Sequence, residues 1–259
     1  MLLQELKKIL KENNFFLSKS LDQHFLYADS ILKREVEYAE INTEDKLLEI
    51  GPGIGTLTEK ILEKTNNLTV IEIDSKFEPL LQKNVGEVII GDALKVEWPE
   101  CNKIISNVPY SISSPLVFKI LEQPIELAVL CLQKEFANRM VAEPGTKNYS
   151  RLSVNCAVRA DIEFLETISK GKFFPIPLVD SALVRLRPKN IHLPEKFDDI
   201  TRAIFQHKNK KLRNALMDSY HEIGTKEEVA SFVESLGEIV QTKVFKLTPE
   251  DIINISSQY

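Results

Sequence analysis

The sequence predicts an α/β protein in which an open, largely parallel sheet with helices on both faces precedes a small helical domain. Apolar, strand-like runs alternate with amphipathic segments of helical periodicity, a pattern typical of right-handed βαβ units. From Phe197 onward the periodicity is helical only. We therefore expect one domain at residues 1–188 and a second at residues 189–259, divided at the segment Arg187-Pro188-Lys189.

The individual elements follow from local patterns. Short apolar runs bounded by turn residues predict strands at 46–50, 68–73, 87–90, 103–106 and 126–131. Helical periodicity predicts helices at 56–64, 76–84, 114–122 and 133–141, and another that follows the polar loop 143–148 and ends near residue 160. Residues 1–14 are predicted to form a short amphipathic helix.

Two further predicted strands, at 162–170 and 181–187, have no helix between them. Their connection, residues 171–177, contains Pro175 and Pro177 and is too rich in proline to be helical. We expect these strands to form an antiparallel hairpin at one edge of the sheet. The remaining predicted helices, all in the second domain, are 197–206, 210–220, 226–236 and 249–255.

Composition excludes several classes of protein. The chain is 43% hydrophobic and 27% charged, as is usual for a globular protein, and no apolar run approaches the ~20 residues that span a bilayer. The N-terminal segment carries internal charges and no cleavage site typical of a secretory signal. Cys101, Cys131 and Cys156 form no C-x-x-C pair, and the histidines lack metal-ligand spacing. We expect a cytoplasmic protein without a metal ion or a membrane segment.

A glycine-rich turn follows the first strand of the predicted sheet. In Gly51-Pro52-Gly53-Ile54-Gly55, glycine lets a ligand approach the backbone closely. The spacing differs from the G-x-G-x-x-G of dinucleotide sites, and Pro52 removes an N–H donor, so a phosphate-free nucleoside cofactor fits better than a pyrophosphate. Glu72 and Asp92 end the next two strands, where their carboxylates can accept hydrogen bonds from ribose hydroxyls and from an adenine amino group.

The segment Asn107-Val108-Pro109-Tyr110 ends the fourth strand and suits the binding of a planar amine. The Asn107 side-chain oxygen and the Val108 carbonyl can each accept one N–H of an exocyclic amino group. Pro109 fixes its own φ and removes a competing donor, and Tyr110 offers a flat face for stacking a purine. Phe173 is the candidate for the opposite face of that base, with Phe174 as the alternative.

These features resemble, in order and over nearly the whole chain, the S-adenosylmethionine-dependent methyltransferases of the Rossmann-like class. Within that class they are similar to the small-subunit ribosomal RNA adenine N6,N6-dimethyltransferases. The segments that carry the resemblance are SKSLDQHFL, EIGPGIGTLT, VIEID, IIGDAL, NVPYSISSP, LQKEFANRM, FFPIPLVDSALVRLRP and HKNKKLRNAL. The compact tail and the S-S-P after N-V-P-Y look like archaeal members.

The resemblance implies dimethylation of N6 in two adjacent adenosines of a hairpin loop near the 3′ end of small-subunit rRNA, during ribosome biogenesis. It implies S-adenosylmethionine contacts from Gln23, His24, Leu26, Gly51, Glu72, Asp92 and Asn107. Three residues depart from the family pattern: Asp22 replaces Gly, His24 replaces Asn, and Leu178 replaces a common Lys. The charge of a histidine depends on pH near neutrality, and the loss of a lysine weakens any phosphate contact there.

The basic segment at the start of the second tail helix is the candidate RNA-binding surface. Lys208, Lys210, Lys211 and Arg213 can contact phosphates although the whole chain carries a net charge of −5, because salt screens distant charges beyond ~8 Å. We expect a small-subunit particle as the partner and a monomeric enzyme.

Three alternatives compete with this prediction. A large-subunit rRNA adenine N6-methyltransferase shares the F-x-P-x-P segment in outline, but the opening Q-H-F-L and the tail K-K-L-R-N-A-L favour the small-subunit type. A non-catalytic assembly factor would not need the full set of pocket residues. A nicotinamide-dependent oxidoreductase is disfavoured by the glycine spacing and the lack of an evident proton donor.

Overall fold

The computed structural model describes residues 3–18 and 21–259. Met1 and Leu2 of the predicted N-terminal helix, and Lys19 and Ser20 of the SKSLDQHFL segment, lie outside the described residues. The strands are β1 (Phe25–Leu26), β2 (Leu47–Ile50), β3 (Leu68–Glu72), β4 (Glu87–Ile90), β5 (Lys103–Asn107), β6 (Leu127–Gln133), β7 (Ala160–Ile168), β8 (Phe173–Phe174) and β9 (Ser181–Pro188).

The α-helices begin with α1 (Leu3–Glu12), α2 (Asp29–Tyr38), α3 (Thr56–Leu62), α4 (Glu78–Leu81), α5 (Ser113–Leu121), α6 (Lys134–Met140) and α7 (Arg151–Arg159). After the last strand come α8 (Phe197–Phe205), α9 (Leu212–Asp218), α10 (Lys226–Ser235) and α11 (Pro249–Ser256). Within the described chain, no helix combines the length and the apolar character needed to cross a bilayer.

The main sheet has seven strands in the order β4-β3-β2-β5-β6-β9-β7. The strands from β4 to β6 pair in parallel, and β9 pairs antiparallel with β6. All four residues of β2 are buried, as expected for a central parallel strand covered on both faces. The predicted α/β class and the antiparallel strands at one edge are confirmed. A separate two-stranded antiparallel sheet pairs β1 with β8.

The chain divides into two compact units. One contains residues 1–137 and 161–188, and the other contains residues 138–160 and 189–259. The predicted first domain, residues 1–188, includes 138–160, but in the structure this segment packs with the tail helices. The reason is that Tyr149, Val154 and Val158 share one hydrophobic core with Phe197 and Ile204. A domain boundary placed at a single point of the sequence cannot predict that residues 138–160 join the second unit while residues 161–188 belong to the first.

Two local features differ from the sequence predictions. The helix expected at 76–84 is shorter, because a 3-10 turn at Ser75–Phe77 precedes α4 and the next strand begins at Glu87. Helix α2 was not predicted at all. Its inward face carries Ile31, Leu32 and Val36, but Glu35 interrupts this apolar stripe.

Candidate active site

The parallel strands end at one edge of the sheet, where a cavity of about 260 Å³ opens within the first unit. Because the carboxyl ends of neighbouring parallel strands lie side by side, this edge brings together residues far apart in sequence. Every residue predicted for the cofactor and the target base lines this cavity: Gln23, His24, Leu26, Gly51, Glu72, Asp92, Asn107, Pro109, Tyr110 and Phe173.

The glycine-rich turn has the backbone conformation that only glycine adopts readily. Gly51, Gly53 and Gly55 have φ angles of 71°, 57° and 84°. A Cβ atom on Gly53 would lie 2.4 Å from Cε1 of Phe25, closer than real Cβ contacts allow. Phe25, which is not among the predicted site residues, therefore defines how closely the turn approaches strand β1.

Glu72 is held by two backbone donors at the end of β3. Its Oε2 accepts the N–H of Gly53 and its Oε1 accepts the N–H of Asp74, each at 2.8 Å. The side chain is almost fully buried, and this burial raises its pKa, while the two N–H donors act in the opposite direction. Each carboxylate oxygen keeps a second lone pair, so the group can still accept hydrogen bonds from a pair of ribose hydroxyls.

Asp92 lies in the loop after β4. Its Oδ1 accepts the N–H of Leu94 at 2.9 Å, and Lys95 forms an ion pair with Oδ2 at 3.3 Å. The Leu94 N–H is the main cause of a lowered pKa for this carboxylate, so it is ionised at neutral pH. The neighbouring Ala93 carbonyl accepts hydrogen bonds from Trp98 and Lys119, which fixes the backbone of this side of the cavity.

Gln23 connects the N-terminal segment to the end of β3. Its Nε2 donates to Oδ2 of Asp74 at 2.8 Å, and its Oε1 accepts the backbone N–H of Ser18 at the same distance. Lys76 joins the cluster through an ion pair with Asp74 at 2.5 Å. Gln23 lines the cavity, but both its Nε2 and its Oε1 are hydrogen-bonded to other residues of the protein. In this structure its side chain therefore stabilises the cavity wall.

The two departures from the family pattern near the cavity mouth, Asp22 and His24, contact each other. Asp22 has φ 52°, a left-handed conformation that glycine adopts freely and that aspartate tolerates better than most residues. Its carboxylate accepts the N–H of Ser111 at 3.2 Å and lies 3.4 Å from Nε2 of His24. Nδ1 of His24 is 2.8 Å from the Pro175 carbonyl, which can only accept, so Nδ1 is the donor. Asp22 and His24 therefore connect their own loop with the segments that contain Ser111 and Pro175, around the cavity.

Asn107 carries an unsatisfied oxygen. Its Oδ1 is buried and has no hydrogen-bond partner among the described residues. The following N–H, from Val108, donates to the Cys131 carbonyl at 3.1 Å and so fixes the backbone. A buried oxygen without a donor is unfavourable unless a ligand supplies one. The cavity thus offers an acceptor where the N-V-P-Y segment was expected to hold an amine.

Tyr110 and Phe173 are part of the aromatic surface of the cavity, to which Phe25 and Phe77 also contribute. The Tyr110 hydroxyl is 2.6 Å from Oγ of Ser181, and the ring stacks on His24 with centroids 5.9 Å apart and an interplanar angle of 25°. Burial raises the pKa of Tyr110 to about 12, so the phenol is neutral at physiological pH. Phe173 is 3% exposed and belongs to the hydrophobic core, whereas Phe174 does not line the cavity.

Glu49 is a further acidic group of the cavity wall. It is 1% exposed, and its Oε2 accepts the Thr58 hydroxyl at 2.7 Å. Burial raises its pKa to about 8, the Thr58 hydrogen bond opposes the rise, and the nearby Glu72 adds to it. The sequence signal for this residue was its position two residues before Gly51, the first residue of the glycine-rich turn.

The four basic residues of the tail differ in their contacts within the second unit. Nζ of Lys208 donates to the carbonyls of Lys147 and Tyr149, Lys210 pairs with Asp218 at 2.7 Å, and Lys211 donates to Gln241. Arg213 is exposed and has no ion pair among residues 3–18 and 21–259. Three of the four side chains therefore have structural partners.

The cavity fits a cationic, phosphate-free nucleoside. Its acceptors are carboxylates and an unpartnered amide oxygen, its glycine turn leaves no room for a Cβ at position 53, and Pro52 offers no N–H to a phosphate. No cluster of potential metal ligands occurs in the described part of the chain. A seven-stranded sheet with an antiparallel edge, and such a site at its parallel strand ends, defines a Rossmann-like S-adenosylmethionine-dependent methyltransferase.

Comparisons with known proteins identify the family. The model of the family described as ribosomal RNA adenine dimethylase matches residues 14–257, and the chain belongs to this family. It is therefore an rRNA adenine dimethyltransferase that uses S-adenosylmethionine.

Individual relatives agree with this assignment. The chain is 44% identical to the probable ribosomal RNA small subunit methyltransferase A of Methanothermobacter thermautotrophicus, covering 97% of this chain and 94% of the relative. A crystal structure of a dimethyladenosine transferase from Plasmodium falciparum is similar with TM-score 0.78 at 30% identity, covering 89% of this chain and 95% of that chain. The 23S rRNA methyltransferase ErmE is similar with TM-score 0.67 at 28% identity, covering 90% and 98%.

Proposed function

We propose that this enzyme dimethylates N6 of two adjacent adenosines in a hairpin loop near the 3′ end of small-subunit rRNA, during ribosome biogenesis in the cytoplasm. The observation that carries the proposal is the buried, unpartnered Oδ1 of Asn107 in the cavity at the strand ends. The name of the Methanothermobacter relative, at 44% identity over nearly the whole chain, supports the small subunit as the target.

In the proposed mechanism, Asn107 and Val108 activate the target amine by accepting hydrogen bonds from its N–H groups. The lone pair of an adenine N6 is delocalised into the ring, so the amine is a poor nucleophile. Oδ1 of Asn107 and the Val108 carbonyl each accept one N–H, which favours a pyramidal nitrogen with a localised lone pair. Bound S-adenosylmethionine supplies the methyl group as a sulfonium. No side-chain base is required, because the product ammonium is acidic and releases its proton to water.

Positioning supplies most of the proposed rate enhancement. Pro109 holds the backbone after Val108 in an extended conformation, with φ −57° and ψ 126°, and so directs both acceptors to one side. Tyr110 and Phe173 clamp the flipped adenine between aromatic faces, at about 1–3 kcal/mol for each stack. Phe174 is the less suitable partner, since its ring is outside the cavity and faces Nζ of Lys7 at 5.1 Å.

The cofactor is proposed to be held by residues at the ends of the parallel strands β2, β3, β4 and β5, and by residues of β1 and the segment that leads into it. Glu72 would bind the ribose hydroxyls and Asp92 the adenine amino group, while the backbone at Gly51 allows close approach. The remaining contacts are proposed for Gln23, His24, Leu26 and Asn107, all of which line the same cavity.

The proposed RNA-binding surface is Lys208, Lys210, Lys211 and Arg213 in the second unit, residues 138–160 and 189–259. Arg213 is the side chain best suited to a phosphate, because it is exposed and has no ion pair among the described residues. Single-stranded loops allow base stacking and edge recognition, whereas an A-form stem offers mainly shape and phosphates. We propose that a monomer acts on a small-subunit particle, whose surface supplies the remaining specificity.

The decisive experiment is transfer of labelled methyl groups from S-adenosylmethionine to small and large subunits isolated from cells that lack this enzyme. Nucleoside analysis then identifies the product. We expect N6,N6-dimethyladenosine in the small subunit alone. Label in large-subunit RNA would instead support the second candidate, a large-subunit enzyme, which the similarity to ErmE favours. Tight binding to one particle without transfer would support a non-catalytic assembly factor.

A further inference from the structure

Helix α2 buries a carboxyl group that the mechanism above does not use. Glu35 is 0% exposed and lies on the same inward face as Ile31, Leu32 and Val36. An apolar residue would be the ordinary choice at this position, because burial of a carboxyl group without hydrogen bonds is unfavourable even when the group is neutral. The position of Glu35 therefore requires an explanation beyond packing.

Among the described residues, the Asn107 carboxamide lies near the Glu35 carboxyl and acts against the rise of its pKa, and it can donate an N–H to that carboxyl. The two side chains form no hydrogen bond in this structure. Both oxygens of Glu35 and Oδ1 of Asn107 are buried without a partner among the described residues. Three of the five unpartnered buried side-chain atoms found there thus belong to this single pair of neighbouring side chains.

The surroundings of Glu35 favour its neutral form. Burial is the main cause of a strongly raised pKa, and the neighbouring Glu49 and Glu166 raise it further. Glu166 is already paired with Arg34 at 2.7 Å, and the thiol of Cys131 is buried with a raised pKa of its own. Among the described residues, no basic side chain pairs with Glu35, so its neutral form is favoured, and a neutral carboxylic acid offers one donor as well as acceptors.

We propose that Glu35, as a neutral carboxylic acid, is a positioning residue that orients the Asn107 carboxamide for methyl transfer. Its carbonyl oxygen accepts an N–H from Nδ2 of Asn107, and its O–H donates to Oδ1, which forms a cyclic acid–amide pair. This pair satisfies all three unpartnered oxygens and prevents rotation of the carboxamide. The second lone pair of Oδ1 stays available for the substrate amine. The inference rests on the proposed role of Asn107.

Glu35→Met and Glu35→Gln separate this role from a structural one. Methionine matches the apolar face, so we expect an unchanged or higher Tm, a kcat lower by at least ~10-fold, and a KM for S-adenosylmethionine within about twofold. Glutamine can form the same cyclic pair, and it should keep kcat within about threefold of wild type at neutral pH. Glu37→Gln, an exposed position on the same helix, is the matched control and should behave as wild type.

The pH profile of kcat gives a second, independent readout. An ionised Glu35 can accept from Nδ2 but can no longer donate to Oδ1, so wild-type kcat should decline on the alkaline side, and Glu35→Gln should lack that decline. A Glu35→Met enzyme with kcat within twofold of wild type would overturn the proposal, as would an unchanged alkaline decline in Glu35→Gln. If Glu35→Met fails to fold, the glutamine profile decides alone. Asn107→Ala in the same assay separates the proposed role of Asn107 from the proposed role of Glu35. An active Asn107→Ala enzyme would overturn the mechanism itself. An inactive Asn107→Ala enzyme together with an active Glu35→Met enzyme would overturn only the role of Glu35.

Discussion

The backbone N–H of Gly53 donates a 2.8 Å hydrogen bond to Oε2 of Glu72, and this bond joins the glycine-rich turn to the end of the neighbouring strand. The same carboxylate holds the N–H of Asp74 through its other oxygen. One side chain thereby fixes the two loops between which a nucleoside would lie. The shape of the site therefore depends on the Glu72 carboxylate, which offers one acceptor oxygen to each of the two backbone N–H groups.

Glu72→Gln should weaken S-adenosylmethionine binding by at least ~10-fold. Glutamine keeps the shape of the side chain but replaces one acceptor oxygen by an N–H2 group, which would then face the N–H of either Gly53 or Asp74. Calorimetric titration of the variant measures this effect. Glu59→Gln, on the exposed side of α3, is the control and should retain wild-type affinity. An affinity within twofold of wild type for Glu72→Gln would contradict the assigned role.

Gly53→Ala should destabilise the protein and weaken cofactor binding through two separable effects. The left-handed φ of 57° costs an alanine about 1 kcal/mol, and the new Cβ would also lie 2.4 Å from the Phe25 ring. Gly237→Ala is the matched control, because φ is 65° there and no atom lies within 4 Å of the new Cβ. Thermal unfolding of both variants should show a larger loss for Gly53→Ala. Equal losses would mean that Phe25 moves away without cost.

Asn107→Ala and Tyr110→Ala should abolish methyl transfer while the Kd for S-adenosylmethionine stays within about threefold of wild type, because Asn107 is only one of the seven residues proposed to contact the cofactor. Both side chains act on the target base in the proposed mechanism, and the cofactor keeps its contacts with Glu72 and Asp92. Tyr110→Phe should retain most activity, because it keeps the aromatic face and loses only the hydroxyl contact with Ser181. Single-turnover transfer with saturating cofactor measures these effects. Near-normal turnover in either alanine variant would exclude the mechanism.

The sheet and the edge residues could be predicted from sequence because the signals are local. Predicted strands end within two residues of Gly51, Glu72, Asp92 and Asn107, and parallel pairing brings such ends together whatever the length of the intervening chain. The structure places all of these residues around one cavity. The α/β class followed from the same alternation of apolar runs and amphipathic segments.

Other features depend on contacts that no local pattern reveals. The packing of Phe25 on Gly53 joins a two-residue strand to a distant turn, and the grouping of Tyr149 with the tail helices arises from tertiary burial. Helix α2 was missed because Glu35 breaks its apolar periodicity. That interruption was itself the available signal, since a charged residue in an apolar stripe indicates either an error in the predicted element or a buried polar interaction.

The stability of the cofactor-free protein should fall as pH rises from about 4.5 to about 8, in part because of Glu49. Its folded-state pKa is raised from 4.5 to about 8, so in this window the folded state binds a proton that the unfolded state has lost. Below the window both states are protonated and this penalty disappears. Glu35, whose pKa is also raised, acts with the same sign.

Urea unfolding at pH 5.5, 7.0 and 8.5 checks this expectation. Glu49→Gln removes the titrating group and should lose less stability than wild type between the first and last pH values. Glu59→Gln, at an exposed position, should follow the wild-type curve. Identical pH dependence in wild type and Glu49→Gln would show that Glu49 ionises normally in the folded protein.

Lys208→Ala and Arg213→Ala should have different effects although both remove one positive charge from the same segment. Nζ of Lys208 donates to two backbone carbonyls, of Lys147 and Tyr149, at 3.0 Å each. Its removal leaves both carbonyls without this donor, and because water can reach the exposed Lys147 carbonyl, we expect the stability of the protein to fall by about 1 kcal/mol. Arg213 is exposed and has no ion pair in the described ranges, so its removal should leave Tm unchanged.

For binding to small-subunit RNA we expect the opposite: Arg213→Ala should have a larger effect than Lys208→Ala. Arg213→Ala should weaken binding and reduce the slope of log K against log salt by about 1, because one phosphate contact is lost. Lys226→Ala, at an exposed position on α10, controls for net charge and should change the slope less. Filter binding between 50 and 200 mM salt, roughly the range over which phosphate contacts dominate affinity, measures the slopes. An unchanged slope for Arg213→Ala would move the RNA contact away from this segment, because the remaining three lysines already have protein partners.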